Sequence, residues 1–396
     1  MAVALMINEL DRRLNHLCDL MDQTYPEWDA ILILGKVNQY YFTGTMQDGM
    51  LVIQKDRTRH YFVRRSYDRA KAESPLTTIY PMESYRDAAG MIGPGLGNTY
   101  LETEIVPLAM LQRLKKYFTM TSIHSVDKLV LSVRAVKSPY ELEWVEQAGK
   151  NHCKLLHELV PPLLREGMSE ANFVAELYAA MIKIGHHGVS RFSMFQTEMV
   201  AGQIGFGESS LYPTSFDGPG GAYGMCPAVP LLGSRERKLK KGDLVFVDVG
   251  FGCNGYHSDK TQVYIFGAKP DADVVKAHRA CMEIEQRLAE KLIPGAIPSE
   301  IYQSVMSTLS EDFRRNFMGY GERQVKFLGH GVGLHVDELP VITNGFLAEL
   351  TENMVIALEP KKGLPNIGMV GVEDTYVVSA AGGRCLTGGG TDIIEV

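Results

Sequence analysis

Five side chains in the C-terminal half have the types and spacing of a metal site: Asp248, Asp259, His330, Glu359 and Glu373. Asp248 and Asp259 lie in KKGDLVFVDVGFGCNGYHSDKTQVYIFG, which reads as two strands around a glycine-containing turn. Their midpoint falls between Cys253 and Asn254. A symmetric hairpin therefore sets the two carboxylates directly opposite each other, with Cβ atoms about 5 Å apart. Like charges so placed destabilise a sheet unless a cation lies between them. The arithmetic recurs in VIALEPKKGLPNIGMVGVEDTYVV, where Glu359 and Glu373 are symmetric about Asn366. One facing acidic pair can be accidental; two point to a cation site. His330, in FLGHGVGLHVDELP, stands between glycines that permit close backbone approach. Four carboxylates and one imidazole favour Mn²⁺, Co²⁺, Fe²⁺ or Zn²⁺ over Ca²⁺.

These residues need rigid strands to hold them, and the pattern around them supplies candidates. Residues 28–133 alternate β-rich and helical runs, with strands expected at Ala30–Leu34, Met50–Ile53 and His60–Val63, and helices at Arg65–Glu73 and Pro107–Tyr117. A boundary falls near Val136–Pro139. Ser138-Pro139-Tyr140-Glu141 opens a helix, with serine as N-cap, proline in the first turn and glutamate three residues on. That helix should run to about Leu159, before Pro161-Pro162. Others are expected from Ser169 to Gly185, from Ala272 to Leu292 and from Ser299 to about Phe317. Strands follow each helix pair, which suggests two related α/β halves. Residues 202–233 carry eight glycines among Phe206, Tyr212, Phe216 and Tyr223 and read as a long functional loop, its aromatics forming a pocket wall.

At 396 residues the chain is long enough for two domains or more, and 45% hydrophobic with 22% charged residues is a globular composition. A net charge of −7 and a pI near 5.9 argue against nucleic acid or an anionic membrane as main partner. The six cysteines are scattered with no CxxC pair, so reduced thiols in a cytoplasmic protein are expected. MAVALMINELDRRL reads as the start of an amphipathic helix rather than a signal peptide, and no apolar run approaches the roughly 18 residues of a membrane span.

The motifs around the five residues resemble the pita-bread metallopeptidase family, which includes Xaa-Pro aminopeptidases, Xaa-Pro dipeptidases (prolidases), methionine aminopeptidases and creatinases. The family pattern DxG…GYxSDxTR stands here as Asp248-Val249-Gly250 and Gly255-Tyr256-His257-Ser258-Asp259-Lys260-Thr261-Gln262. GHGxGL stands as Gly329–Leu334, and the two glutamate motifs as Glu359-Pro360 and Glu373-Asp374. Asn38-Gln39-Tyr40-Tyr41-Phe42-Thr43-Gly44 is similar to the creatinase-type N-terminal domain. The resemblance implies an α/β (α+β) chain, with a creatinase-like N-terminal domain over 1–134 and a catalytic domain over 135–396 around a curved, mainly antiparallel sheet. It implies two divalent metal ions bridged by Asp259 and Glu373, with Asp248 completing one and His330 with Glu359 the other. Glu359 would also handle the proton of an attacking water held between the metals. A small peptide is the implied substrate, and a homodimer the implied assembly.

Three places depart from the pattern. HExP is expected after GHGxGL, but Asp337-Glu338-Leu339-Pro340 stands there, with His335 two places early. On a strand that spacing keeps the same face, making His335 a candidate catalytic residue, although a surface histidine is the simpler reading. PHxxP is replaced by Pro227-Ala228-Val229-Pro230, and the arginine expected two residues before Glu373 is Gly371. Losing substrate-handling imidazoles costs typically about 100-fold or more unless they are replaced. His186, His187 and His257 could supply a substitute, and Asp337, Tyr212, Phe216 and Tyr223 are candidate substrate contacts. An Xaa-Pro aminopeptidase or dipeptidase is the first expectation. An enzyme acting on a small non-peptide amide or amidine is the second, and a non-catalytic binding protein the third.

Overall fold

The computed structural model describes residues 2–195, 197 and 199–396. The chain divides into two compact units, Met1–Arg134 and Ala135–Val396.

In the first unit, six strands form one mixed sheet in the order β4-β3-β2-β1-β5-β6. They are β1 (Ala30–Ile33), β2 (Asp48–Gln54), β3 (Arg59–Arg65), β4 (Ile79–Pro81), β5 (Gly95–Leu101) and β6 (Thr119–Ser125). Helices α1 (Ala2–Thr24), α2 (Lys36–Thr43), α3 (Tyr67–Glu73), α4 (Tyr85–Ile92), α5 (Leu108–Leu114) and α6 (Asp127–Ala135) connect and flank them. The amphipathic start read at the N-terminus is α1, which buries Leu10, Leu14, Leu17 and Met21, a spacing of three and four that keeps one helical face apolar. The start of α2 is fixed by Glu102, whose carboxylate accepts from the main-chain N–H groups of Leu34 and Gly35 and from the Asn38 amide. That bonding accounts for Asn38 in the motif.

The second unit opens with α7 (Pro139–Lys154), where Ser138 and Glu141 close the expected capping box. The helix widens into a π-helical turn over Leu155–Leu159 before the prolines. After α8 (Glu170–Lys183) come β7 (Gly202–Phe206), β8 (Leu244–Cys253) and β9 (Tyr256–Ile265). Next are α9 (Ala272–Ala289), α10 (Pro298–Met306) and α11 (Glu311–Arg314). Two short strands, β10 (Gly319–Tyr320) and β11 (Arg323–Gln324), precede β12 (Phe327–Gly331), β13 (Glu338–Thr343) and β14 (Val355–Leu358). The chain finishes with β15 (Lys361–Leu364), β16 (Gly368–Gly371), β17 (Asp374–Val377), β18 (Arg384–Cys385) and β19 (Ile394–Glu395).

Two expectations change here. The glycine-rich segment is not loop throughout, because its first five residues are β7, paired with β8. The helix expected over 299–317 is two helices, since Ser310 N-caps α11 and ends the continuity.

A four-stranded sheet (β19-β9-β8-β7) and a five-stranded sheet (β13-β12-β14-β17-β18) frame the unit. Alternation along β8 decides what faces the site. Val245, Val247, Val249 and Phe251 join Phe173 and Leu177 in a hydrophobic core. Phe246, Asp248 and Gly250 therefore point to the other face. On β9 the matching face carries Asp259, Thr261 and Val263, and Lys260 turns away. An isolated bridge, Thr261 to Glu373, and the Thr375 hydroxyl bonded to the Asp259 main chain tie the two sheets together beside Asp248.

Candidate metal centre

The first hairpin is built two residues out of the symmetric register. Asn254 and Gly255 both adopt positive φ, 47° and 93°, forming a two-residue turn of the kind that closes tight hairpins. The partners become Asp248–Thr261 and Gly250–Asp259. The two aspartates are thus diagonal neighbours on one face rather than directly opposite. The second hairpin keeps its arithmetic: Leu358 pairs with Asp374 and Lys361 with Gly371, and Glu359 and Glu373 stand between these pairs in the same register.

Asp259, His330 and Glu373 each present one ligand atom, all within 4.8 Å of one another. His330 Nε2 stands 3.9 Å from Asp259 Oδ2, 3.5 Å from Glu359 Oε1 and 3.6 Å from Glu373 Oε1. Ligands about 2.1 Å from one ion lie roughly 3.0–3.4 Å from each other, so this spacing fits a first-row divalent ion with a slight contraction. Glu373 Oε1 is buried and has no hydrogen-bond partner among the described residues, His330 Nε2 standing just beyond hydrogen-bond reach at 3.6 Å. A buried carboxylate oxygen left in that state is costly without a cation. The donor set therefore fits a metal ion.

On the other side of Glu373 sits a group the sequence reading missed. The Lys361 ammonium is fully buried and donates to Asp248 Oδ2 (2.9 Å), Glu359 Oε2 (3.0 Å) and Glu373 Oε2 (2.6 Å). The Thr261 hydroxyl bonds Asp248 Oδ1 at 2.9 Å and Glu373 Oε2 at 3.1 Å. Its place two residues after Glu359 was the one hint in the sequence, and that spacing says nothing of burial.

Charges in the cluster follow from burial and neighbours. Burial pushes Asp248 up to about 7 against the pull of Lys361, with Glu373 and Glu359 adding repulsion. Asp259 is driven well above the carboxylate range by burial and by its neighbours Glu373 and Asp248. Burial opposes ionisation of Glu373 too, but Lys361 and His330 together hold it low. Burial would lower His330; Glu373, Glu359 and Asp259 overcome it and raise the imidazole to about 10.

The remaining candidates lie around this cluster. His335 sits in the turn before β13, its main-chain N–H donating to Glu338 Oε1 at 2.8 Å. Residues 332–337 are not strand, so the argument from strand parity that made His335 a catalytic candidate loses its basis. Asp337 accepts from Ser193 N (2.6 Å) and Ser193 Oγ (2.9 Å), anchoring the segment before β7. Tyr212 and Tyr223 are exposed and meet edge to face at 5.3 Å, and Phe216 meets Phe192 at 5.1 Å. Their loop packs by way of Gly220, where a Cβ would come within 2.7 Å of both Gln203 and the Phe246 ring. Gln203 is the cross-strand partner of Asp248, so the loop runs beside the cluster. Ala228 lies in an exposed turn closed by Val229 N donating to Cys226 O.

His186, His187 and His257 serve as packed cross-links. His257 Nδ1 lies 3.0 Å from Gly333 O and its Nε2 3.3 Å from Val189 O; His186 Nδ1 accepts from Gly252 N at 2.9 Å. Burial lowers His186 and His187 to about 4 and His257 to about 3. The unfolded chain takes up these protons near the ordinary imidazole value of about 6.5, so it binds more of them than the folded chain below that pH. Their contribution to stability is complete above about pH 6.5 and is lost as pH falls through the window down to the folded values. Each contributes up to about 1.4 kcal/mol per pH unit. The unfolding midpoint of His257→Gln should therefore fall less steeply between pH 7 and 5 than that of the parent. Parallel slopes would contradict this reading.

The sequence matches Metallopeptidase family M24 over residues 143–380 and the Creatinase/Prolidase N-terminal domain over residues 13–136. The chain is 25% identical over 388 residues to the Xaa-Pro dipeptidase of Pyrococcus furiosus, covering 96% of this chain and 98% of that protein. It is 26% identical over 385 residues to the Xaa-Pro dipeptidase of Pyrococcus horikoshii, covering 96% and 97%. The fold is shared with the prolidase from Pyrococcus horikoshii OT3 (TM-score 0.79, 24% identity, 97% of this chain and 100% of that one). It is shared also with the X-Pro aminopeptidase from Thermotoga maritima (TM-score 0.77, 23% identity, 97% and 99%). With its M24 match extending over more than half its length, the chain belongs to the M24, or pita-bread, metallopeptidase family.

Proposed function

We propose that the protein is a metal-dependent peptidase that cleaves Xaa-Pro bonds. The observation that carries this reading is the buried Glu373 Oε1, without a hydrogen-bond partner among the described residues and facing His330 and Asp259 at metal-ligand spacing. The likeness of nearly the whole chain to two proteins named Xaa-Pro dipeptidase supports the choice of substrate. In this reading residues 1–134 are the creatinase-like domain and 135–396 the catalytic one.

Asp259, His330, Glu359 and Glu373 would hold a divalent ion of the Mn²⁺, Co²⁺, Fe²⁺ or Zn²⁺ class. When bound, that ion supplies Lewis acidity and an acidified water. Glu359, raised by burial and reached by both Lys361 and His330, is placed to accept and return a proton. Lys361 orients Glu359 and Asp248 through its hydrogen bonds. Tyr212, Phe216 and Tyr223 would form the wall against which an apolar proline ring packs, and Asp337 would hold the neighbouring segment 190–193 in place.

The test is hydrolysis of a panel of Xaa-Pro dipeptides and Xaa-Pro-Yaa tripeptides by protein loaded with Mn²⁺ or Co²⁺. Turnover of dipeptides alone identifies a dipeptidase, and turnover of tripeptides an aminopeptidase. No turnover of either, in protein shown to hold metal, would remove the peptidase reading.

A further inference from the structure

We propose that Lys361 takes the place of the second metal ion, so that the site holds one divalent ion beside a built-in ammonium rather than two ions. This rests on the reading of the acidic cluster as a metal centre and departs from the pair of ions that the family resemblance implies.

An ion completed by Asp248 would need Asp248 together with the bridging carboxylates Asp259 and Glu373. Yet Asp248 Oδ2 and Glu373 Oε2 already point at the Lys361 ammonium, at 2.9 and 2.6 Å. Asp248 Oδ1 is taken by the Thr261 hydroxyl. An ammonium has three N–H donors, and Lys361 has three carboxylate acceptors, so the group is saturated where it stands. Glu373 thus divides its two oxygens, Oε2 to a cation of the chain and Oε1 toward the Asp259–His330 position. That is the geometry of a bridging carboxylate in which one of the bridged cations is a side chain.

Gly371 gives independent support. It is the cross-strand partner of Lys361 and has a φ of +129°. A Cβ at 371 would lie 2.6 Å from Lys361 Cα and 3.1 Å from its Cγ, and would collide with the Pro360 carbonyl oxygen. An arginine at 371 is therefore incompatible with the main-chain path at Pro360–Lys361, and its Cβ would also crowd the Lys361 stem. The positive charge expected from position 371 has moved across the ladder to 361, where it enters the ligand cluster itself. Net charge alone does not separate the two arrangements. Four carboxylates set against one divalent ion and one ammonium leave a single net negative charge, and two ions leave a single positive one. The repulsion among the cations does separate them. Two divalent ions and the ammonium would press three cations together in a buried site, where their repulsion is little screened.

The test is metal stoichiometry. Wild-type protein and Lys361→Ala are stripped with a chelator, reloaded with excess Mn²⁺ and desalted, and manganese is counted per chain by mass spectrometry. Electron paramagnetic resonance reports whether the ions are isolated or coupled. One ion per wild-type chain with an isolated six-line signal, rising to two coupled ions in Lys361→Ala, is the expected result. Two ions in the wild type would overturn the proposal while leaving the metal-centre reading intact. One ion in both proteins would overturn the claim that Lys361 occupies the second position. No ion in the wild type would overturn the metal-centre reading and the proposal with it. Should Lys361→Ala fail to fold, the near-isosteric, uncharged Lys361→Gln and the anomalous-scattering peaks of manganese-loaded wild-type crystals decide the same question.

Discussion

Asp259→Asn is expected to abolish metal retention and activity while leaving the unloaded protein as stable as its parent or more so. The two effects separate because of where the carboxylate sits. Burial, Glu373 and Asp248 push Asp259 well above the ordinary carboxylate range, which favours the neutral acid in the unloaded protein, a form that asparagine copies. Asparagine cannot supply the charge or the second oxygen that an ion needs. Removal of outer-shell partners alone costs about 10–100-fold in metal affinity, and loss of a direct ligand should exceed that. Loss of the ion takes with it several kcal/mol of transition-state stabilisation, or roughly 10²–10⁴-fold in rate. Metal analysis, thermal unfolding with chelator and a peptidase assay on one preparation would check all three effects. A substantial drop in the unloaded unfolding temperature would contradict the assignment.

Lys260→Met should do the reverse, although it is the next residue. Alternation along β9 turns Lys260 away from the metal face. There its ammonium, fully buried, donates to Asp374 Oδ1 at 2.7 Å and to Gly389 O at 3.3 Å. Thr387 Oγ1 and Gly389 N also bond that oxygen, while Asp374 Oδ2 and Glu285 Oε1 have no hydrogen-bond partner among the described residues. Burial already raises Asp374 and Glu285, and Lys260 is the charge that moderates both. Breaking such a buried pair from one side costs about 3–5 kcal/mol. In a unit of this size that amounts to a fall of roughly 10 °C in Tm. Metal content per folded chain should be unchanged. A Tm within a degree or two of the parent would show that the pair is dispensable.

The contrast between these neighbours shows how far the sequence could be read. The five clustered residues were legible because acidic pairs inside β-rich hairpins are expensive without a cation, and because their order matches a family pattern. The register of the first hairpin was not legible from symmetry. The Asn254–Gly255 turn sets it, and a two-residue turn shifts the partners by two without changing which face they occupy. The second hairpin, with Asn366 in a positive-φ turn at its centre, followed the simple arithmetic. Helix starts were read well where a capping box announced them, as at Ser138, and poorly where a second N-cap, Ser310, broke a continuous pattern. Lys361 escaped notice because lysines are usually solvated, and nothing local marks one as buried. Its meaning depends on Asp248, more than a hundred residues away in sequence, and on Gly371, whose missing side chain lets the main chain at 360–361 approach.

The cluster around Glu373 is read here as a hydrolytic metal centre. The most direct measurement is proline release from an Xaa-Pro dipeptide by chelator-stripped protein, before and after Mn²⁺ is restored, with Asp259→Asn alongside. A metal centre there gives no release from the stripped protein, recovery on adding metal, and no recovery in the variant. Release that persists in stripped protein, or that Asp259→Asn retains after reloading, would contradict it.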